Sequence, residues 1–464
     1  MKSNKLNLIL GAMVALTMGG TGFAEERAAF PQFVRPLGMG GAFTAVADDN
    51  NAFSFNPAGM VQRTGAEVSF LEIALGGSSD LKEAVDYLSD HEDELTNLDN
   101  IATADPTRAN QIVNDTLNTF TGLNPRFYVA GDVATFVSGP RFMGMPLHVG
   151  FGALFVVDGR FNIGPGTPFP TVSYSVDSDM VIPLSLAKRF DAPYIPGKIG
   201  VGLTGKLIRR AQVKQDNLNV AQLDNLDVPD PAIGKGIGSD LGLLYQPTDR
   251  FNVGLMVRDF LGTKISYDRV DAENGIPAQP ERDTVIRPRT NIGVALTPER
   301  LLWILPTGNR LTLAADVRDI LDKDKHIFFE NGFRRVFGQD MWKQVHLGAE
   351  YKYWFLRLRG GAYQGYPSFG LGVDLPVLKV DYAFYSQELG ARAGDLRQEN
   401  HVISLGFKFG TNYTETRDRI KKGSESKEEQ KMAVPEKVST PVVTPAEPVP
   451  ANDVVVPNST EKEH

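Results

Sequence analysis

The sequence predicts an all-β protein, a transmembrane antiparallel β-barrel of about fourteen strands. Three observations predict it. Apolar and polar residues alternate with period two in segments of about ten residues, which puts one apolar and one polar face on each strand. The connections between these segments alternate between long and short, as in barrels with short turns on the periplasmic side and longer loops outside. The chain also opens with an export segment, and no later stretch reaches the ~18 consecutive apolar residues of a membrane-spanning helix.

Residues 1–24 read as a secretory signal. Lys2 and Lys5 give a positive start, "LNLILGAMVALTMGG" an apolar core, and "TGFA" a small-residue end, with cleavage expected after Ala24. The chain has no cysteine, so disulfides, thiolate catalysis and cysteine-ligated metals are excluded. A net charge of −8 supplies no basic field for phosphate backbones, so no nucleic-acid partner is expected.

Fourteen strands are expected near 66–75, 125–137, 145–157, 178–188, 197–210, 237–246, 250–259, 287–297, 309–319, 343–352, 354–363, 367–375, 377–387 and 400–410. In "KIGVGLTGKLI", Ile199, Val201, Leu203, Gly205 and Leu207 face one way, and Gly200, Gly202, Thr204 and Lys206 the other. In "HVISLGFKF", Ile403, Leu405, Phe407 and Phe409 alternate with Val402, Ser404, Gly406 and Lys408. The connections after odd strands are long: 76–124, 158–177, 211–236, 260–286, 320–342 and 388–399. Those after even strands are short: 138–144, 189–196, 247–249, 298–308, 353 and 376; only 364–366 breaks the rule. An even strand number brings both ends of the barrel to the periplasmic side.

Within 76–124, "SSDLKEAVDYLSDHEDELTNLDNIATADPTRANQIVNDTLNTF" reads as helix, with Leu81, Val85 and Leu88 on one side. The strand count makes it an extracellular helical loop, expected to cap the barrel mouth. After Gly410, "KKGSESKEEQK" and a proline-rich run predict a disordered periplasmic tail over 411–464, too poor in apolar residues to fold alone. The barrel is thus expected over 66–410, with 25–65 as an N-terminal segment of its own.

A charge at mid-membrane on a lipid face costs ~2–4 kcal/mol. Charged residues opposite an apolar strand face are therefore expected to line the lumen: Lys206, Arg258, Asp316, Arg318, Glu350, Arg357, Arg359 and Asp381, with Asp240, His346, Asp374 and Lys379. Their ordinary role is charge pairing inside the wall. Pro183 in "DMVIPLSLAKRF" removes a ladder donor from a strand interior, and Gly150 and Gly152 lie in the neighbouring strand; together they mark a candidate lateral opening.

No G-x-S-x-G or G-x-x-x-x-G-K-[ST] occurs. "GMGGAF" starts like a dinucleotide fingerprint, but Phe43 replaces the last glycine and no strand precedes it. The six histidines have no metal spacing among them. No enzyme, metal or cofactor is expected.

"LGMGGAFTAVADDNNAFSFNPAGM" resembles the N-terminal signature of the FadL-type outer-membrane transporters of hydrophobic compounds, and equally that of the PorV-type and TraF-like relatives. The matching residues are Gly38, Gly40, Gly41, the Ala47-Asp48-Asp49 run, and Asn56, Pro57, Ala58 and Gly59. The resemblance implies that 25–65 is a hatch inside the barrel. It extends over roughly 27–410 through the strand plan. A plug also suits the physics. Fourteen strands enclose more volume than wall side chains fill, glycines let its backbone approach the wall, and Ala42, Phe43, Ala45, Val46, Phe53 and Phe55 offer it an apolar face.

The resemblance implies passive uptake of hydrophobic small molecules such as fatty acids across the bacterial outer membrane, with membrane lipid around the barrel. The alternative it leaves open is a non-transporting PorV-like or TraF-like barrel that docks a secreted or envelope protein. The long insert at 76–124 leans toward the TraF-like group, and no fatty-acid-binding residue is carried over.

Overall fold

The computed structural model describes residues 33–142, 145–164, 171–191, 195–219, 230–270, 280–301, 305–308, 310–320, 342–390 and 394–414. The expected signal segment and all but the start of the expected tail lie outside them.

Fourteen antiparallel strands close into a barrel. They are β1 (Arg63–Ser78), β2 (Arg126–Phe142), β3 (Met145–Gly164), β4 (Thr171–Asp191), β5 (Lys198–Asn219) and β6 (Ala232–Thr248). The seventh, β7, runs in two pieces, Phe251–Arg258 and Thr263–Tyr267, and so does β8, Arg282–Ile286 and Arg289–Leu296. The rest are β9 (Leu311–Val317), β10 (Val345–Tyr353), β11 (Leu356–Tyr363), β12 (Tyr366–Asp374), β13 (Leu378–Glu388) and β14 (Arg397–Thr414). Each pairs with its sequence neighbours, and β1 pairs with β14 from Arg63↔Thr414 to Ser78↔Asn400, so no edge is left open.

All fourteen expected segments are strands. Several run further than the period-two pattern: β4 covers 171–191 against an expected 178–188, and β14 continues to Thr414, past the expected start of the tail. Beyond the apolar band both strand faces lose the lipid/lumen contrast, so alternation fades while the backbone ladder persists. The long connections shorten accordingly.

The alternation has the predicted sense. Leu203, Leu207, Leu358, Leu371, Ile403, Leu405 and Phe409 are exposed on the outer wall. Glu350, Arg359, Asp381, Asp316 and Lys206 are buried on the inner one. At the end carrying the short turns, Tyr353, Trp354 and Phe355 form an exposed aromatic cluster of the kind found at the membrane interface.

Two irregularities mark the wall. In β1 the register shifts between Phe70 and Glu72 against β14 and between Ser69 and Glu72 against β2, where Leu71 has φ 61°. The bulge leaves Phe70 and Leu71 both outward and so turns Glu72 inward. Between the two pieces of β7, Asp259 has φ 51°, and β6 passes from pairing with Phe251–Val257 to pairing with Lys264–Tyr267.

Between β1 and β2 lie four helices: α3 (Ser79–Asp90), α4 (Glu92–Thr96), α5 (Leu98–Ala104) and α6 (Pro106–Phe120). They follow two short helices of the N-terminal segment, α1 (Val34–Gly38) and α2 (Ala52–Phe55). Asp105 caps α6, accepting from Thr107 N and Arg108 N at 3.0 Å, with Pro106 at its first position. Ala84 and Phe120 pack on Ile163 of β3, beside Phe161 and Val172. The helices thus sit against the rim built by the extended strands, and their closest strand neighbours are β14, β1, β2 and β3. No helix among the described residues is long and apolar enough to cross a membrane.

Candidate functional site: the segment inside the barrel

Residues 33–62 lie inside the wall, and all except Asp48 and Asp49 are buried. They form α1 (Val34–Gly38), α2 (Ala52–Phe55) and a 3-10 helix, Pro57–Gln62. The reason is local. Gly40 (φ 61°) and Gly41 (φ 81°) end α1 in a left-handed turn that a side chain disfavours. Asn56 ends α2 in extended backbone, and Pro57 starts the next helix at its first position. The Asn56 carboxamide oxygen accepts from Ala58 N at 3.0 Å, while its Nδ2 donates to Thr44 O at 2.9 Å and to Leu243 O of β6 at 3.0 Å. Asn56 therefore closes the segment's own fold and ties it to the wall.

The wall receives this backbone through glycines. An added Cβ at Gly202 would stand 2.2 Å from Ala58 N, at Gly242 2.1 Å from Asn56 Oδ1, and at Gly254 2.5 Å from Thr44 O. On the other side, Gly348 would meet Met39 O at 2.3 Å, and Gly370 would meet Gly38 Cα at 2.9 Å. These inward glycines make a seat running from β5 through β12. Gly59 is packed the same way within the segment, where an added Cβ would stand 2.2 Å from Ala47 O. Gly242→Leu is expected to leave the strand ladder intact while displacing the segment, at about 1–3 kcal/mol of overpacking. The check is a folded, heat-modifiable barrel whose planar-bilayer conductance rises; unchanged closure in the folded variant counts against the seat.

The segment has two faces. Its apolar face is Phe33, Met39, Phe43, Phe53 and Phe55, packed with Phe136, Leu154, Val181, Ile208, Leu244 and Ile265 of the wall. Phe53 stacks on Phe136 with ring centroids 4.7 Å apart. Each such phenylalanine contributes ~1.5–3 kcal/mol by burial.

Its polar face is organised by Arg35. The guanidinium grips Glu350 with two hydrogen bonds of 2.9 Å, and donates to Asp48 at 2.5 Å and Asp49 at 2.7 Å. From Glu350 a chain of charges crosses the wall: Arg359 lies 2.8 Å from Glu350 and 2.5 Å from Asp381, Lys379 lies 3.3 Å from Asp381 and 3.1 Å from Glu72. Below this chain, toward the turn end, is a cavity of about 150 Å³. Its lining includes seven basic residues (Arg35, Arg63, Lys352, Arg357, Arg359, Lys379, Lys408) and seven acidic ones (Asp48, Asp49, Glu67, Glu72, Glu350, Asp374, Asp381). Balanced, paired charge suits water and repels an apolar solute.

The expected lumen-lining residues divide into groups. Asp316 accepts from Phe43 N and Thr44 N at 2.8 Å and from the Thr44 hydroxyl at 2.7 Å. Arg258 donates to Ser54 O at 2.6 Å, and Arg318 donates to Gly41 O. His346 Nδ1 lies 2.7 Å from Gly40 O. With Glu350, Arg359 and Asp381, these surround the segment. Arg357 instead pairs with Asp374 at 2.9 Å at the turn end. Lys206 is held within the wall, 2.8 Å from Asp240 and 2.7 Å from Asp259.

At the expected lateral opening, β3 and β4 pair at Phe151↔Leu184 and again at Leu154↔Val181 in the same register, with no pair at Gly152 or Ala153. The lapse falls opposite Ile182 and Pro183. From the inside, Gly150 faces the Phe53 ring, whose Cε1 would be 2.9 Å from an added Cβ, and Gly152 lies against Val133 O.

Sequence reasoning missed Arg35, Glu72 and the glycine seat. The seat had a signal: Gly200 and Gly202 already stood on the inward register, where a small residue leaves room for a neighbouring backbone. Arg35 stands just ahead of the signature, and nothing local marks its partners 13 to 315 residues away.

Among solved structures, TbuX, a toluene transporter of Ralstonia pickettii, aligns over 82% of this chain and 98% of its own at TM-score 0.47 and 14% identity. TodX, a toluene transporter of P. putida, aligns over 83% and 99% at TM-score 0.41 and 13% identity. CymD, a monoaromatic hydrocarbon channel, aligns over 81% and 96% at TM-score 0.41 and 13% identity. No family model matches the chain, and no curated protein matches it significantly.

Proposed function

We propose that the protein is an outer-membrane barrel for passive uptake of hydrophobic small molecules, closed by the segment 33–62 acting as a hatch. The observation that carries this reading is the division of the lumen. The hatch presents aromatic residues to one side of the wall and charges to the other, and the charged side borders the polar cavity at the turn end. On the inner face an apolar ligand meets an apolar strip, where Leu154, Val181 and Ile208 stand side by side on β3, β4 and β5. That strip ends beside the lapse in the β3–β4 ladder, where Phe53 covers the inner side. Exit through the wall avoids the charged cavity, and movement of Phe53 is the step that uncovers it. The signature at 38–59 supports the same reading by resemblance. The substrate class is tested for this chain rather than inherited from the toluene and hydrocarbon channels named above.

The test is uptake of a labelled fatty acid and of labelled toluene by cells that carry the full-length protein, the Pro183→Val variant or no barrel. Uptake above the barrel-free cells, reduced when Pro183→Val restores a ladder donor, is the expected result. Uptake equal to barrel-free cells for both ligands overturns the transport reading in favour of partner docking. Equal uptake by Pro183→Val and the parent removes the wall exit and leaves the hatch route.

A further inference from the structure

The outer wall carries a second feature, unconnected with the lumen. Leu207, Ile237, Lys235, Lys264 and Ser266 line a shallow groove of about 540 Å³ on β5, β6 and the second piece of β7. Ile237 is 73% exposed there. On β5 the outward residues from the turn end are Ile199, Val201, Leu203, Gly205 and Leu207, and the next is Arg209. Eight residues of strand rise about 26 Å, or about 20 Å along the membrane normal at a tilt near 40°, close to the ~25 Å apolar band of such barrels. Arg209 therefore stands where hydrocarbon meets headgroups.

Register gathers more positive charge at that level. Arg209 pairs across to Lys235, and Leu207 to Ile237, which in turn faces Lys264. Lys235 and Lys264 reach Asp268 and Asp283 at 2.8 Å. Both pairs are exposed, and such pairs are worth only ~0–1 kcal/mol, so a stronger anion displaces the carboxylates. Arg209 has no ion-pair partner among the described residues. Three cations and two carboxylates leave the group at +1. Immediately below, Gly205 leaves a notch: nothing lies within 4 Å of an added Cβ.

We propose that this groove binds one membrane lipid with a phosphorylated headgroup. Its acyl chain lies over Gly205 between Leu207 and Ile237, and its phosphate is held by Arg209, Lys235 and Lys264. The occupant is a lipid of the bilayer rather than free phosphate, because the apolar half of the groove lies at hydrocarbon depth, where acyl chains already cover the wall. The proposal rests on the barrel spanning a bilayer and not on the uptake reading.

The test is native mass spectrometry of the full-length protein in maltoside detergent, with dipalmitoyl phosphatidic acid or dipalmitoyl phosphatidylcholine as probe and inorganic phosphate as competitor. The expected result is one retained phosphatidic acid, about tenfold favoured over phosphatidylcholine and undisplaced by phosphate, as a charge-assisted bidentate contact predicts. Retention falls about tenfold in Arg209→Gln with Lys235→Gln and Lys264→Gln. It also falls in Gly205→Leu, which fills the notch and keeps every charge. Equal retention of the two lipids, unchanged retention in the triple variant, or displacement by phosphate overturns the proposal. Heat-modifiable gel migration is read on every sample. A folded barrel without lipid preference overturns the lipid site alone, whereas loss of heat-modifiability in the parent overturns the barrel beneath it.

Discussion

Removal of residues 27–60 opens the barrel to ions. Every strand keeps both neighbours without this segment, because the β1–β14 ladder closes the wall from Arg63 onward. The wall's central charges also keep partners: Glu350 retains Arg359 at 2.8 Å and Lys352 at 3.0 Å, and Asp381 retains Arg359 and Lys379, while Asp316, Arg258 and Arg318 exchange the segment's backbone for water. What disappears is the aromatic and backbone filling, and a polar lumen of this strand number then floods, as in porins. Planar-bilayer conductance is expected to rise by about tenfold or more over the parent. A deletion variant that folds, migrates as a heat-modifiable barrel and stays closed shows that loops or wall side chains seal the lumen instead.

Arg35→Ala has the second largest effect. Arg35 is buried and binds three carboxylates, one on the wall and two on its own segment. Breaking a buried pair by removing one partner costs about 3–5 kcal/mol, because the remaining charge stays buried. The loss falls on the polar face only: Asn56, the glycine seat and the phenylalanine cluster still hold the other. The variant is therefore expected to fluctuate between closed and conducting states rather than to stand open. Single-channel recording reads this as flicker absent from the parent. Adding Glu350→Ala measures the coupling of the pair, and because Glu350 keeps Arg359 and Lys352 in Arg35→Ala, the double variant is expected to depart from the sum of the single ones. Flicker no more frequent than in the parent, with no coupling between Arg35 and Glu350, makes the contact incidental.

The wall was legible because a strand in a bilayer has a binary environment. In β14, Ile403, Leu405, Phe407 and Phe409 alternate with Val402, Ser404, Gly406 and Lys408, because lipid on one side and lumen on the other impose period two directly. The same logic sets Glu350, Arg359 and Asp381 inward from the pattern alone, and there they lie. The pattern failed where the contrast fails, at the extended ends of β3 to β5 and at the β7 break, where Asp259 takes a left-handed conformation that its sequence does not announce.

Period two and loop length by themselves determined the barrel, its strand number and which face of each strand looks inward, since these follow from the chain's own neighbours and from the solvent. Only the tertiary structure decided how the lumen is filled. That Arg35 meets Glu350, that Asp316 receives Phe43 N and Thr44 N, and that Gly242 makes room for Asn56 are contacts between residues 186 or more positions apart. Their geometry is set by the curvature of the closed wall and the path of a separate segment through it. No periodicity along the chain encodes that distance, so residue type can suggest a buried charge or a permissive glycine, and packing alone selects its partner.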